Sequence, residues 1–208
     1  MSVYVCVPVL KRYDLLRGML MSLGRSTVIP AAVYVMNNGR REDLLEVALR
    51  EAPCEVVVET PAENLGVAKT WNWFIHNVPE DRIIVNDDIV FAPTSISKLT
   101  AHDLDLAWAQ NCGFSCFVIR DSCVEKLGFF DETISPGYGY YEDDDYLQRL
   151  DGRGTREPSA KAGNVECGVR HLRSQTLAAN SIIEMQDHHR RFKIAQSNYM
   201  KKWGLKTI

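Results

Sequence analysis

Up to Phe91, short unbroken apolar runs alternate with segments whose apolar residues recur every three or four positions. The runs are Val3 to Val9, Ala32 to Met36, Glu55 to Glu59 and Arg82 to Asn86. They are rich in β-branched residues, which predicts strands, with Val3 to Val9 and Ile83 to Val85 reading as buried ones. Between them, Tyr13 to Leu23 places Leu16, Met19, Leu20 and Leu23 on one helical face, and Arg41 to Glu51 does the same with Leu44, Leu45, Ala48 and Leu49. Gly66 to Asn77 predicts a third helix. Asn37-Asn38-Gly39 closes the second strand with strong turn chemistry. Single helices joining successive strands imply an α/β fold with right-handed crossovers.

Beyond Phe91 the rhythm lapses. Gly113 to Ile119 predicts a strand, Asp121 to Leu127 a short helix, Gly128 to Tyr141 a long loop, Glu142 to Leu150 a helix and Val165 to Leu172 a further strand. Ser181 to Trp203 predicts a terminal helix with Ile182, Ile183, Phe192, Tyr199 and Trp203 along one side. Arg153 to Gly163, rich in Gly, Pro and charge, predicts a surface loop. There is no internal repeat and no linker-like stretch, so the 208 residues read as one domain, 1–208.

Composition narrows the partners. The chain is 46% hydrophobic and 25% charged, as an ordinary globule is. A net charge of −3, from 24 basic and 27 acidic residues, supplies no global field for nucleic acid or an anionic membrane. The apolar start is short and lacks a basic leader, and no apolar run approaches the ~20 residues of a membrane span. The expectation is a soluble, cytoplasmic protein. Six scattered cysteines read as reduced thiols acting as small hydrophobes. Cys112, Cys116 and Cys123 form no paired C-x-x-C arrangement, which argues against zinc.

The chemistry concentrates at two acidic stretches. Asp87 and Asp88 stand where the Ile83 to Val85 strand runs out. Carboxylates are costly inside such a strand. At the carboxyl edge of an α/β sheet, where ligands bind, they suit a divalent cation, and the cation suits a diphosphate. The plainer alternative is an Asp-rich turn. Neither a G-x-G-x-x-G after the first strand nor a G-x-x-x-x-G-K-[ST] is present, so a cation rather than a glycine-rich loop is expected to hold phosphate. The second stretch is Glu142-Asp143-Asp144-Asp145, at the start of a predicted helix. One or two acids there cap the helix and meet its positive end. Four in a row repel one another and raise the pKa of at least one, a useful state for a general base or a cation site.

In chain order these stretches stand with two others, Glu63-Asn64-Leu65-Gly66-Val67-Ala68-Lys69-Thr70-Trp71-Asn72 and Gly128-Phe129-Phe130-Asp131-Glu132. The succession of strand-ending Pro8, N-x-G-x-x-x-x-x-N, Asn86-Asp87-Asp88, G-F-F-D-E and E-D-x-D resembles the family-2-like glycosyltransferases of the GT-A fold over nearly the whole chain. That resemblance implies a Rossmann-like α/β/α sandwich with a mostly parallel central sheet. It also implies transfer of a sugar from a nucleotide-diphospho-sugar donor to the hydroxyl of an acceptor glycan, protein or small molecule, with Mn²⁺ or Mg²⁺ as cofactor and inversion at the anomeric carbon.

The resemblance implies roles residue by residue. Asn86-Asp87-Asp88 takes the place of the D-x-D motif, with Asp88 the direct metal ligand and Asn86 substituting an amide for the first acid. Pro8 and Val9 form the floor of the nucleoside pocket, and Asn37 stands where an acid usually contacts the nucleoside. Asn64 and Lys69 lie near the base or diphosphate, with a core-supporting role the alternative for Asn64. Asp143 is the catalytic base, Glu142 contacts the acceptor, and Asp145 positions it or braces the loop. His171 completes the metal or diphosphate site or serves as a structural hydrogen-bonder, with Arg170 and Arg173 beside the leaving diphosphate. Residues 1–91 then form the nucleotide-sugar half and 92–208 the acceptor half. Tyr138, Tyr140 and Tyr141 read as a sugar platform, Trp71, Trp73 and Trp108 mainly as core, and His188 to Arg191 as a solvated face. Two rivals come from other classes: a sugar nucleotidyltransferase, whose glycine- and arginine-rich phosphate signature is missing near the amino terminus, and a catalytically silent glycan-binding module.

Overall fold

The computed structural model describes residues 2–79, 82–152, 160–172 and 180–205. Seven strands form the central sheet, β1 (Tyr4–Val9), β2 (Ala32–Asn37), β3 (Glu55–Glu59), β4 (Arg82–Val85), β6 (Leu106–Ala109), β7 (Cys116–Ile119) and β8 (Ala162–Val165), in the order β3-β2-β1-β4-β7-β6-β8. β1 pairs in parallel with β2 and β4, β2 with β3, and β6 with β8, while β7 runs antiparallel to both of its neighbours. The helices α1 (Tyr13–Leu23), α2 (Glu42–Leu49) and α3 (Gly66–Asn77) fall where the apolar spacing puts them. Strands from both sides of Phe91 share the one sheet.

Alternation along β1 decides which layer each side chain joins. Val5, Val7 and Val9 pack with Leu16, Leu20 and Leu45 of α1 and α2, whereas Cys6 points to the opposite layer, with Trp71 and Phe74 of α3. That second layer also takes up α5 (Asp121–Leu127) and α6 (Glu142–Leu150), whose Tyr146 is fully buried against Phe130. Asn72 couples two of the sequence motifs. Its amide donates to Phe130 O at 2.9 Å and its oxygen accepts from Phe130 N at 3.0 Å, which ties α3 to the Gly128 to Glu132 loop.

Several expectations are corrected. The strand expected from Gly113 begins at Cys116, because Gly113–Ser115 form a 3-10 turn. Val165 to Leu172 is not one strand. It is split into the end of β8 and a two-residue β9 (Arg170–His171), with Gly168 between them at φ +75°. β9 pairs antiparallel with β5 (Ile89–Val90). Neither β6 nor the short helix α4 (Ser95–Thr100) was expected. Of the Arg153 to Gly163 loop, residues 153–159 lie outside the described residues, and Ala162 and Gly163 belong to β8. The terminal helix α7 (Ile182–Trp203) starts at a complete capping box between Ser181 and Glu184. It buries Ala195 and Tyr199 but leaves Ile182 and Ile183 about four-fifths exposed, so these two isoleucines do not share its packed side. Among the described residues no helix is long and apolar enough to cross a membrane.

Candidate active site

The carboxyl ends of β1 and β4 open into a cleft of about 900 Å³. Pro8, Val9, Asn86, Asp87 and Asp88 form one wall, and Tyr138, Tyr140, Glu142 and Asp143 form the other. The first turns of α7 cover it with Ile183, Glu184, Asp187 and His188. A close backbone approach joins the walls. Val67 N donates to Tyr138 O at 2.6 Å, and a Cβ on Gly66 (φ +74°) would fall 2.3 Å from Tyr138 N. Only glycine permits that contact.

Pairing of β5 with β9 brings Asp88 and His171 together. Leu172 N donates to Asp88 O at 3.0 Å, and His171 Nε2 stands 3.1 Å from Asp88 Oδ1. Asp88 is 5% exposed, and its Oδ1 faces His171 Nε2 without a hydrogen bond to any described residue. An unsatisfied buried carboxylate oxygen beside an imidazole nitrogen is costly without a partner and fits a divalent cation. Among the described residues no cluster of three His, Cys, Asp or Glu completes a cage. Such a cation would therefore need substrate oxygens and water as its other ligands, the usual arrangement for Mg²⁺-type sites on phosphates. Burial, reinforced by the charge of Asp88, pushes Asp87 up to about 7.

Across the cleft, α6 begins with its four acids, and they separate in role. Glu142 is 5% exposed and accepts from Tyr140 N at 2.5 Å. Burial first, then the charge of Asp143, pushes Glu142 up to about 7. Asp143 is half-buried, faces the cleft and accepts from Asp144 N at 3.0 Å. Asp144 is exposed, with its pKa raised by desolvation and by Asp143. Asp145 is fully buried and turned away from the cleft. It accepts from Trp203 Nε1 at 3.0 Å and Arg149 Nε at 3.1 Å, and pairs with Lys202 at 2.6 Å.

The other expected residues divide. Asn64 lines the cleft and also accepts from Gly66 N at 3.0 Å, so it supports the turn as well. Asn37 does not reach the cleft. Its oxygen accepts from Tyr13 Oη at 2.5 Å and Arg40 N at 3.1 Å, and its amide donates to Glu42 at 2.9 Å and Thr60 at 3.3 Å, which uses its full hydrogen-bonding capacity. Lys69 is exposed on α3 and is not part of the lining. Arg170 is exposed, and Arg173 lies outside the described residues. His188 is not on a solvated face: it is 7% exposed, with Nδ1 3.1 Å from Tyr140 Oη.

Lys11, Asn38, Glu184 and Asp187 line the cleft without having been anticipated. Lys11 and Asn38 lie within two residues of the ends of β1 and β2, which is a usable signal. The α7 acids carry none, because only tertiary packing brings that helix over the sheet. A second hollow of about 480 Å³ adjoins the cleft through Leu10, Lys11, Asn38 and Asn64, and is walled by Tyr13, Arg40 and Arg41.

Solved structures share this fold. A glucosyl-3-phosphoglycerate synthase from Mycobacterium tuberculosis, determined with Mn²⁺, uridine diphosphate and phosphoglyceric acid, superposes with a TM-score of 0.65 at 13% identity, over 99% of this chain and 80% of that one. The chain has the GT-A fold. TarS of S. aureus (1–349) matches at a TM-score of 0.63 and 11% identity, over 97% of this chain and 72% of that one. The inositol-1-phosphate CTP transferase of T. maritima matches at 0.55 and 12%, over 99% and 98%. No family model and no curated protein matches the sequence.

Proposed function

We propose that this chain is a glycosyltransferase that moves a sugar from a nucleotide-diphospho-sugar to an acceptor hydroxyl with the aid of Mn²⁺ or Mg²⁺. The observation that carries the reading is that Asp88 and Asp143, far apart in sequence, open onto one cleft at the carboxyl edge of the sheet. Asp88 and His171 would hold the cation, and Asn86 and Asp87 flank it. When bound, the cation offsets negative charge on the departing diphosphate. Pro8, Val9 and Asn64 lie where a nucleoside diphosphate would run from the strand ends, and the adjoining hollow is large enough for its base. Residues 1–91 therefore serve the donor, and 92–208 serve the acceptor and lend His171 to the donor site.

Asp143 is the general base. It is the cleft-facing carboxylate of α6 that is open enough to meet an acceptor. As the acceptor oxygen bonds to the anomeric carbon, its proton passes to Asp143, and the carbon–oxygen bond to the diphosphate breaks with its electron pair leaving on the phosphate oxygen. Direct displacement inverts the configuration. Glu142 orders the Tyr140 backbone and faces the acceptor, and Asp145 braces the helix from behind. The fold alone also suits a nucleotidyltransferase, a reading favoured by the near-complete overlap with the T. maritima enzyme.

Incubation with a panel of nucleotide sugars, with Mn²⁺ or with chelator, separates the two. Metal-dependent release of nucleoside diphosphate is expected. Release of pyrophosphate from a nucleoside triphosphate and a sugar phosphate would favour the second reading, and binding without turnover a silent module.

A further inference from the structure

We propose that the acceptor is a polyhydroxylated compound bearing neither phosphate nor carboxylate, and that the acceptor end of the cleft selects against anions. The inference rests on the glycosyltransferase reading and names the substrate class that this site takes.

Charge in the cleft is strongly one-sided. Its lining includes Asp87, Asp88, Glu142, Asp143, Glu184 and Asp187, and Lys11 is the one Lys or Arg among the described lining residues. Asp88 Oδ1 is buried there without a hydrogen bond, so the cleft is built to receive a positive or hydrogen-bond-donating group at its donor end. A bound cation would be matched by the donor's own diphosphate, which leaves the acceptor facing Glu142 and Asp143, to which the described residues offer no ion pair, while Glu184 and Asp187 are already paired.

The nearby cations are already engaged. Lys11 donates to Asn180 Oδ1 at 2.7 Å and pairs with Glu184. Arg190 and Arg191 each sit 2.7 Å from Asp187, on opposite oxygens, and Arg191 also covers the Tyr138 ring at 4.5 Å. Neither arginine lines the cleft. A phosphorylated acceptor would have to break one of these pairs or lie against bare carboxylates, and juxtaposed like charges are a strong device for rejecting a wrong partner. A neutral polyol suits the same lining. Its hydroxyls donate to Asp143 and Asp187, and the faces of Tyr138 and Tyr140 offer ring contacts of the kind sugars accept.

The synthase from M. tuberculosis was determined with phosphoglyceric acid, an anion. The expectation here is therefore a different acceptor chemistry on the same fold.

The test uses the full chain preloaded with uridine diphosphate and Mn²⁺, titrated in a calorimeter with matched probe pairs: methyl glucoside against glucose 6-phosphate, inositol against inositol 1-phosphate, and glycerol against glycerol 3-phosphate. At least one neutral member should bind about tenfold or more tightly than its phosphorylated partner, with the gap narrowing as salt is raised. Asp187→Asn, which releases Arg190 and Arg191, should raise the phosphorylated-to-neutral affinity ratio several-fold. The proposal is overturned if no neutral member outcompetes its partner, including the case in which none binds, or if Asp187→Asn leaves the ratio unchanged. Failure of uridine diphosphate and Mn²⁺ to bind in the preloading step counts separately, against the donor reading itself.

Discussion

Gln196 Nε2 donates to the Tyr141 hydroxyl at 3.0 Å across 55 residues of sequence. Tyr141 is the residue before Glu142 and adopts φ +67°, a left-handed backbone unfavourable for a bulky side chain. Its ring stacks on Tyr199 with centroids 5.1 Å apart and packs against Phe192. The terminal helix thus holds a backbone conformation, worth about 1–3 kcal/mol of strain, at the residue that leads Glu142 and Asp143 into the cleft. Tyr141→Gly relieves the strain but loses the anchor. It is expected to lower kcat about tenfold or more with little change in the KM for donor, whereas Tyr141→Phe stays within a few-fold of wild type. Steady-state kinetics on both variants decide it; an unchanged kcat in Tyr141→Gly removes the positioning role.

Asp143→Asn keeps the shape of the side chain and removes the proposed base. Turnover is expected to drop at least ~10²-fold while uridine diphosphate affinity, read by calorimetry, stays near wild type. Equal losses in binding and turnover would instead mark Asp143 as part of the donor site.

Glu142 gives a pH signature. Its pKa rises on folding from 4.5 to about 7, so between those values the folded chain binds more protons than the unfolded one. Stability should therefore fall as pH rises through that window. Glu142→Gln removes the penalty: its advantage over wild type is near zero below pH ~4.5 and grows to about 3 kcal/mol above pH ~7, at about 1.4 kcal/mol per pKa unit. Urea melts at pH 5 and pH 8 in chelator measure it, and a variant less stable than wild type at pH 8 contradicts it.

Asp145 carries a structural prediction. Removing this buried carboxylate by Asp145→Ala strips Arg149 of its carboxylate and frees the Trp203 indole, while Lys202 keeps its pair with Asp131. The expected loss is about 3–5 kcal/mol, read from denaturant melts. Trp203 fluorescence should respond before the global transition, because the end of α7 undocks first.

The sequence was legible where one physical rule dominated. β1, β2 and β4 read correctly because interior strands are continuous apolar runs, β3, at the sheet edge, because Val56-Val57-Val58 is β-branched, and α1 to α3 because their apolar stripes are periodic. β6 was missed because Leu106-Ala107-Trp108-Ala109 is short and half alanine, a weak strand former. The same shortness hid the two-residue β5 and β9, although their pairing is what brings His171 to Asp88. The strand expected from Val165 to Leu172 stops at Val165 and resumes only at Arg170, with Gly168 at positive φ between the two.

At the cleft, position at a strand end or helix start indicated Asp87, Asp88, Glu142 and Asp143, and the family resemblance added Pro8, Val9 and Asn86. It could not reveal that Asn37 spends its four hydrogen bonds inside the fold, or that Lys69 faces outward. Nor could it place Glu184, Asp187 and His188 over the cleft, because that depends on how a distant helix packs.

The central claim is that Asp88 and His171 bind a cation that in turn binds a nucleoside diphosphate. Calorimetric titration of uridine diphosphate into wild type, Asp88→Asn and His171→Ala, each with Mn²⁺ and with chelator, tests it most directly. Metal-dependent binding is predicted for wild type, with the affinity and its metal dependence reduced at least ~10-fold in both variants. Nucleotide binding of equal strength in chelator, or untouched by both substitutions, would contradict it.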